Sequence, residues 1–151
     1  MLRNKLNEAL KEAMKNQEVR CVSTVRLILA ALKDRDIAAR GKGNVDGISE
    51  DEILGMLQSM IKQRRESITM YEQGGRLELA QQEVEEIEVI EKFLPEQMGE
   101  DEMSDAITAL IAELEATNLK DMGRTMSALK ERYAGKMDFG KARALVKSHL
   151  A

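Results

Sequence analysis

Apolar positions recur every three to four residues along most of this chain, the spacing of helices that bury one face. Leu2, Leu6, Leu10, Ala13 and Met14 share a face of a predicted helix over about Leu2 to Asn16. A second, about Glu18 to Ala39, carries Val22, Val25, Leu29 and Leu32 on its stripe, with Ile28 at the flank. The clearest pattern runs from Ser49 to Pro95. Ser49 with Glu52 three residues later is a capping-box start. Ile53, Leu57, Met60, Ile61, Ile68 and Tyr71 follow at helical spacing. After a Gly74-Gly75 turn, Leu77, Ala80, Val84, Ile87, Ile90 and Leu94 form the next stripe. Leu94-Pro95 ends it, because the residue before a proline is pushed out of the α region.

Arg64 falls within the first stripe of that hairpin and Glu83 within the second. Folded back at Gly74-Gly75, residues about equally far from the turn face each other. Arg64 then lies near Glu83 and Glu86, and the pattern predicts a partly buried structural ion pair between Arg64 and one of them. A guanidinium suits the place because its planar fork can hold a carboxylate through two donors. The plainest role for such a pair is to set the register of the two helices.

Pro95 to Gly99 is the best candidate for a domain boundary or hinge. Beyond it a helix is predicted over about Glu100 to Ala116, its acidic first turn complementing the helix dipole. Met103, Ile107, Leu110, Ile111 and Leu114 form its stripe. Asn118 with Asp121 marks another start, and Leu119, Met122, Met126, Leu129 and Tyr133 form a narrow seam closed by Gly135 as the residue after the cap. Lys120 and Arg124, four apart, are expected to point to solvent together. Asp138 caps the last helix, about Phe139 to Leu150, with Phe139, Ala142, Leu145, Val146 and Leu150 inward. The reading is all-α, with no run of alternating residues that would suggest a strand.

Charge changes the picture more than composition does. The formal net charge is −4. Residues 1–42 hold ten basic and five acidic side chains, a net +5; residues 77–116 hold one and thirteen, a net −12; residues 117–151 hold eight and three, a net +5. Two basic ends flank an acidic middle, and an anionic partner responds to local patches rather than to the overall charge. The single Cys21 excludes an internal disulfide and borders the face of the second helix as a small packing residue. No run approaches the ~20 apolar residues of a membrane span. No long apolar stretch near Met1 resembles a signal peptide, so the expectation is a soluble, cytoplasmic protein.

Enzyme chemistry is hard to place. One cysteine and one histidine, His149 beside the C-terminus, make no Cys/His metal cluster and no evident nucleophile pair, so no catalytic residue, metal or cofactor is expected. Three glycines in Gly41–Gly47 do not match a phosphate loop, and no strand precedes them. The four aromatics sit on apolar stripes, which argues against base stacking. Backbone and shape recognition by basic helix faces remains open.

Lys62-Gln63-Arg64-Arg65-Glu66-Ser67-Ile68, Gly75-Arg76, Ala80, Glu83, Glu86 and Leu94-Pro95, with Arg20, Arg26 and Leu27 before and Met122-Gly123, Met126 and Gly135 after, resemble the YqeY family over essentially the whole chain. One departure is Met137-Asp138-Phe139, where the family commonly has Ala-Asp-Gly. The last third is similar to the tail domain of the B subunit of the glutamine-dependent aspartyl/glutamyl-tRNA amidotransferase. The resemblance implies a four-helix domain over residues 1–95 and a three-helix bundle over 96–151. It also implies association with tRNA, or with a protein partner in tRNA aminoacylation. The family label, carbon–nitrogen ligase activity with glutamine as amido-N-donor, is inherited from a catalytic assembly whose active parts this chain does not contain. The expected RNA contacts are Lys120, Arg124, Lys130, Arg132, Lys136, Lys141, Arg143 and Lys147, aided by Arg20 and Arg26. The alternative is a protein-interaction module docking through its acidic 77–116 region.

Overall fold

The computed structural model describes residues 1–151, which form seven α-helices and one short 3₁₀ turn, with no strand. The chain divides into two compact units, Met1–Leu94 and Pro95–Ala151, each with its own apolar core.

Unit 1 contains α1 (Leu2–Lys15), α2 (Val19–Gly41), α3 (Glu50–Gln73) and α4 (Leu77–Glu91). The Ser49 hydroxyl accepts from the Glu52 backbone N–H, and the Glu52 carboxylate accepts from the Ser49 N–H, both at 3.2 Å. Two unpaired donors at the start of α3 are thereby satisfied. Three helices of this unit end alike. After α3, Gly75 (φ +72) and Arg76 donate to the carbonyls of Glu72 (3.2 Å) and Tyr71 (2.8 Å). After α2, Gly43 (φ +92) and Asn44 donate to those of Arg40 and Ala39. After α1, Gln17 (φ +57) and Glu18 donate to those of Met14 and Ala13. All are Schellman closures, which need a left-handed residue; only α1 supplies it with a side-chain-bearing residue.

The core of unit 1 is built on Leu6, Val25, Ile28, Ile53, Met56, Leu57 and Ile90. Ile28, expected at the flank of its stripe, sits at the centre, while Met14 and Leu77 are exposed. Met56 and Val89 are buried although they lie off the expected stripes. The reason for Val89 is that α4 packs against both α2 and α3, so its apolar face is wider than one stripe. Thr24 is fully buried, and its hydroxyl has no hydrogen-bond partner in the protein.

A polar knot ties α1, α2 and the loop before α3. Arg3 donates both Nη groups to the Asp36 carboxylate, one at 2.9 Å, and Nη2 also donates to the Ile48 carbonyl at 2.8 Å. The Ile48 N–H donates to Asp36 Oδ1 at 2.9 Å. The Arg3 hydrogen bonds hold the Asp36 carboxyl below its ordinary range. Gly47 (φ +86) passes close by: a Cβ there would lie 2.5 Å from Asp36 Oδ1 and 3.0 Å from Arg3 Nη2.

Unit 2 packs α5 (Glu100–Leu114), α6 (Met122–Arg132) and α7 (Phe139–Leu150) against one another. Their shared core includes Ile107, Leu129, Met137, Ala142 and Val146. The segment leading into α5 is anchored: Gln97 Nε2 donates to the Gly135 carbonyl at 2.6 Å, and the Met98 N–H to the Lys136 carbonyl at 2.8 Å. Asp138 Oδ1 accepts from Gly140 and Lys141 at 3.0 and 3.2 Å and caps α7. Gly135 (φ +74) lies one residue beyond the place expected for it, because the cap of α6 is Tyr133.

Candidate nucleic-acid interface

The ten basic residues singled out in the sequence fall into three groups. Arg20 and Arg26 belong to α2 in unit 1. Arg20 Nε donates to Glu85 on α4 at 3.1 Å, so it cross-links two helices instead of standing free. Arg26 has no carboxylate partner and lies 3.9 Å from the Met14 sulfur.

In unit 2, three of the eight are engaged. Arg132 holds Glu113 of α5 through two donors at 2.7 and 2.8 Å. Each partner extends the other's charged range: Glu113 is pulled below the usual carboxylate value and Arg132 is raised. Arg124 donates to Asp121 at 3.0 Å and to the Leu114 carbonyl at 2.9 Å. Asp121 is lowered mainly by the backbone N–H of Thr117, and then by Arg124. Lys141 lies 3.8 Å from Glu100, both well exposed.

The other five, Lys120, Lys130, Lys136, Arg143 and Lys147, are exposed and have no carboxylate within ion-pair distance. Arg143 and Lys147 stand four apart on α7 and share a face. Lys120 and Arg124 are both exposed and sit in successive elements. Lys120 belongs to the 3₁₀ turn Leu119–Asp121, capped by Asn118 at 2.9 Å, and Arg124 to α6, which starts only at Met122.

The Arg64 hairpin has the predicted partners in a different arrangement. Arg64 Nε donates to Glu86 at 2.8 Å, lies 4.0 Å from Glu83, and its Nη1 donates to the Met60 carbonyl at 3.2 Å. The fork divides its hydrogen bonds between Glu86 and the Met60 carbonyl instead of gripping one carboxylate, and Glu83 feels only its charge. All three side chains are mostly buried. Burial, and then the neighbouring Glu86 charge, push the Glu83 carboxyl above its ordinary value, against the pull of Arg64.

The acidic middle is also engaged in part. Seven of its thirteen carboxylates lie within 4.0 Å of an arginine or lysine nitrogen of the same chain, and the run is divided between the two units. No group of three or more His, Cys, Asp or Glu side chains is arranged to hold a metal ion. No helix is long and apolar enough to cross a membrane. The Arg3–Asp36 knot escaped sequence reading, since its partners lie 33 residues apart with no periodic signal to pair them.

The family model described as Yqey-like protein matches residues 3–150. The chain belongs to the YqeY family. Curated YqeY-type relatives include the protein named altered inheritance of mitochondria protein 41, mitochondrial, from three yeasts. That of Candida glabrata is 33% identical over 91 residues, covering 60% of this chain and 48% of the relative. That of Lachancea thermotolerans is 29% identical over 115 residues, 75% and 59% of the two chains. That of Eremothecium gossypii is 32% identical over 116 residues, 75% and 61%. The chain thus spans roughly half to three-fifths of the length of these relatives. Their names overturn the expectation of a cytoplasmic protein. A composition with one cysteine reports a reducing setting, and that property does not distinguish the cytosol from an organelle interior.

Proposed function

We propose that this YqeY-family protein is a non-catalytic accessory protein that associates with tRNA through unit 2. The observation that carries the reading is the set of five exposed, unpartnered cations, Lys120, Lys130, Lys136, Arg143 and Lys147, on a unit whose other cations are tied to carboxylates. Exposed cations without internal partners are the groups that phosphate contacts recruit. The resemblance of this unit to the amidotransferase tail domain supplies tRNA as the nucleic acid. The names of the yeast relatives make a mitochondrial setting part of the proposal. The alternative, docking through the acidic 77–116 region, has less support, since seven of its thirteen carboxylates are already paired with cations of the same chain and the run is split between units.

Titration of the purified protein with total tRNA at several salt concentrations tests it. If all five cations meet phosphates, log K should fall against log salt with a slope of about −4. The triple variant Lys130→Glu, Arg143→Glu, Lys147→Glu should weaken binding at least tenfold and leave the melting temperature unchanged. Arg124 is a poor choice for this test because its loss would also free the Leu114 carbonyl and Asp121. Absence of binding at low salt would sink the proposal and turn attention to a protein partner.

A further inference from the structure

We propose that a recess between α1 and α2 in unit 1 binds a small phosphate monoester, independently of the tRNA reading. The recess has a volume of about 380 Å³, within the range of small-ligand sites. Its α2 wall presents Lys33, Asp36, Ile37 and Arg40, which share one helix face by their spacing. Arg3 and Asn7 close it from α1.

Charge selects the ligand. Arg3 and Asp36 are bound to each other and cancel. Lys33 and Arg40 also line the recess, and neither has a carboxylate within ion-pair distance. The lining therefore carries two uncompensated positive charges. A phosphate monoester is close to a dianion at neutral pH, whereas a diester or a carboxylate brings one charge.

Lys33 and Arg40 stand two helical turns apart, and Asp36 lies between them. The knot fixes this carboxylate against Arg3 and the Ile48 N–H, so it is not available to repel an anion by swinging outward. The rest of the α2 lining is apolar. Leu32 forms a buried floor and Ile37 stands exposed at the rim. These surfaces suit the carbon body of an ester and offer nothing to a bare phosphate ion. Asn7 donates its amide N–H to the Arg3 carbonyl at 3.0 Å, leaving its side-chain oxygen free to accept from a ligand hydroxyl.

The test uses the full chain and phenyl phosphate as the probe, followed by amide chemical shifts in an NMR titration. The expected result is saturable shifts centred on Asn7, Lys33 and Arg40. Inorganic phosphate and methyl phenyl phosphate, the diester, should each bind about tenfold more weakly, a difference of about 1.4 kcal/mol. Lys33→Gln and Arg40→Gln should each cost about tenfold as well. Because both side chains are exposed, their fold can be checked by an unchanged melting curve. Phenyl phosphate that never saturates, or that binds no better than inorganic phosphate, would overturn the proposal. So would a Lys33→Gln, Arg40→Gln double variant that loses tRNA affinity as strongly as the unit 2 triple variant, since these cations would then belong to an RNA track. Retained tRNA affinity with lost phenyl phosphate binding separates the two sites.

Discussion

At the scale of single residues, two buried polar groups carry the sharpest consequences. Thr24 has its hydroxyl sealed in the core of unit 1 with nothing to bond. Valine has nearly the same shape and no donor to leave stranded. Thr24→Val should therefore stabilise the protein by about 1 kcal/mol in chemical denaturation. Glu83 gives a dependence on pH. Its folded carboxyl titrates above the ordinary value of 4.5, chiefly because it is buried. The folded state thus holds this proton more tightly than the unfolded chain does. Its contribution is fully present below 4.5 and is lost as pH rises through the raised folded value. Glu83→Gln should flatten that stretch of the stability-versus-pH curve and should be the more stable form at neutral pH. Equal pH profiles of the two proteins would show that Glu83 titrates normally. The partners of Arg64 could be read from the sequence because an arginine inside an apolar stripe needs a nearby acid. The way its donors are divided could not, since that depends on where the Met60 carbonyl points.

At the scale of elements, the helix ends explain what was legible. Ser49 with Glu52 and Gly74-Gly75 are local signals, and the chain starts or ends a helix at each of them, whereas α4 ends at Glu91, three residues before Leu94-Pro95. Asn118 with Asp121 is a local signal as well, yet it opens a 3₁₀ turn before it opens α6. Capping chemistry is common to both windings and does not choose between them. That ambiguity is why Lys120 lies in the turn while Arg124 lies in the helix. Leu77 shows a different limit. Its spacing matches its stripe, but it is the first residue of α4, at the exposed turn, where no other helix covers it. The end of α1 supplies the prediction at this scale. Gln17 holds the left-handed position that glycines fill after α2 and α3. Gln17→Gly should relieve that strain and raise stability by about 1 kcal/mol, measurable as a shift in the denaturation midpoint.

At the scale of the whole molecule, two cores in one chain imply two folding units. Unit 2 has 57 residues, Pro95–Ala151, with its entry segment pinned to the α6–α7 turn by Gln97 and Met98. Domains of that size bury only about 60% of their unfolded surface and are marginal. A fragment over 95–151 should nevertheless melt cooperatively, with the helical circular dichroism of α5 to α7, and should retain most of the tRNA affinity. A broad, non-cooperative melt would mean that the unit depends on the rest of the chain. In unit 1 the knot of Arg3, Asp36 and Ile48 leaves no room for a side chain at position 47. This restriction bears on the order in which the sequence can change. With Asp36 in place, any replacement of Gly47 drives a methyl group or more into the carboxylate. Once Asp36 has become alanine, the carboxylate is gone and only the far end of the Arg3 side chain stays close, so asparagine, which tolerates left-handed backbone, becomes an easier occupant of position 47. The two positions are therefore coupled in sequence space: a side chain at 47 is better tolerated after 36 has changed than before it, while the change at 36 itself strands Arg3 and the Ile48 N–H.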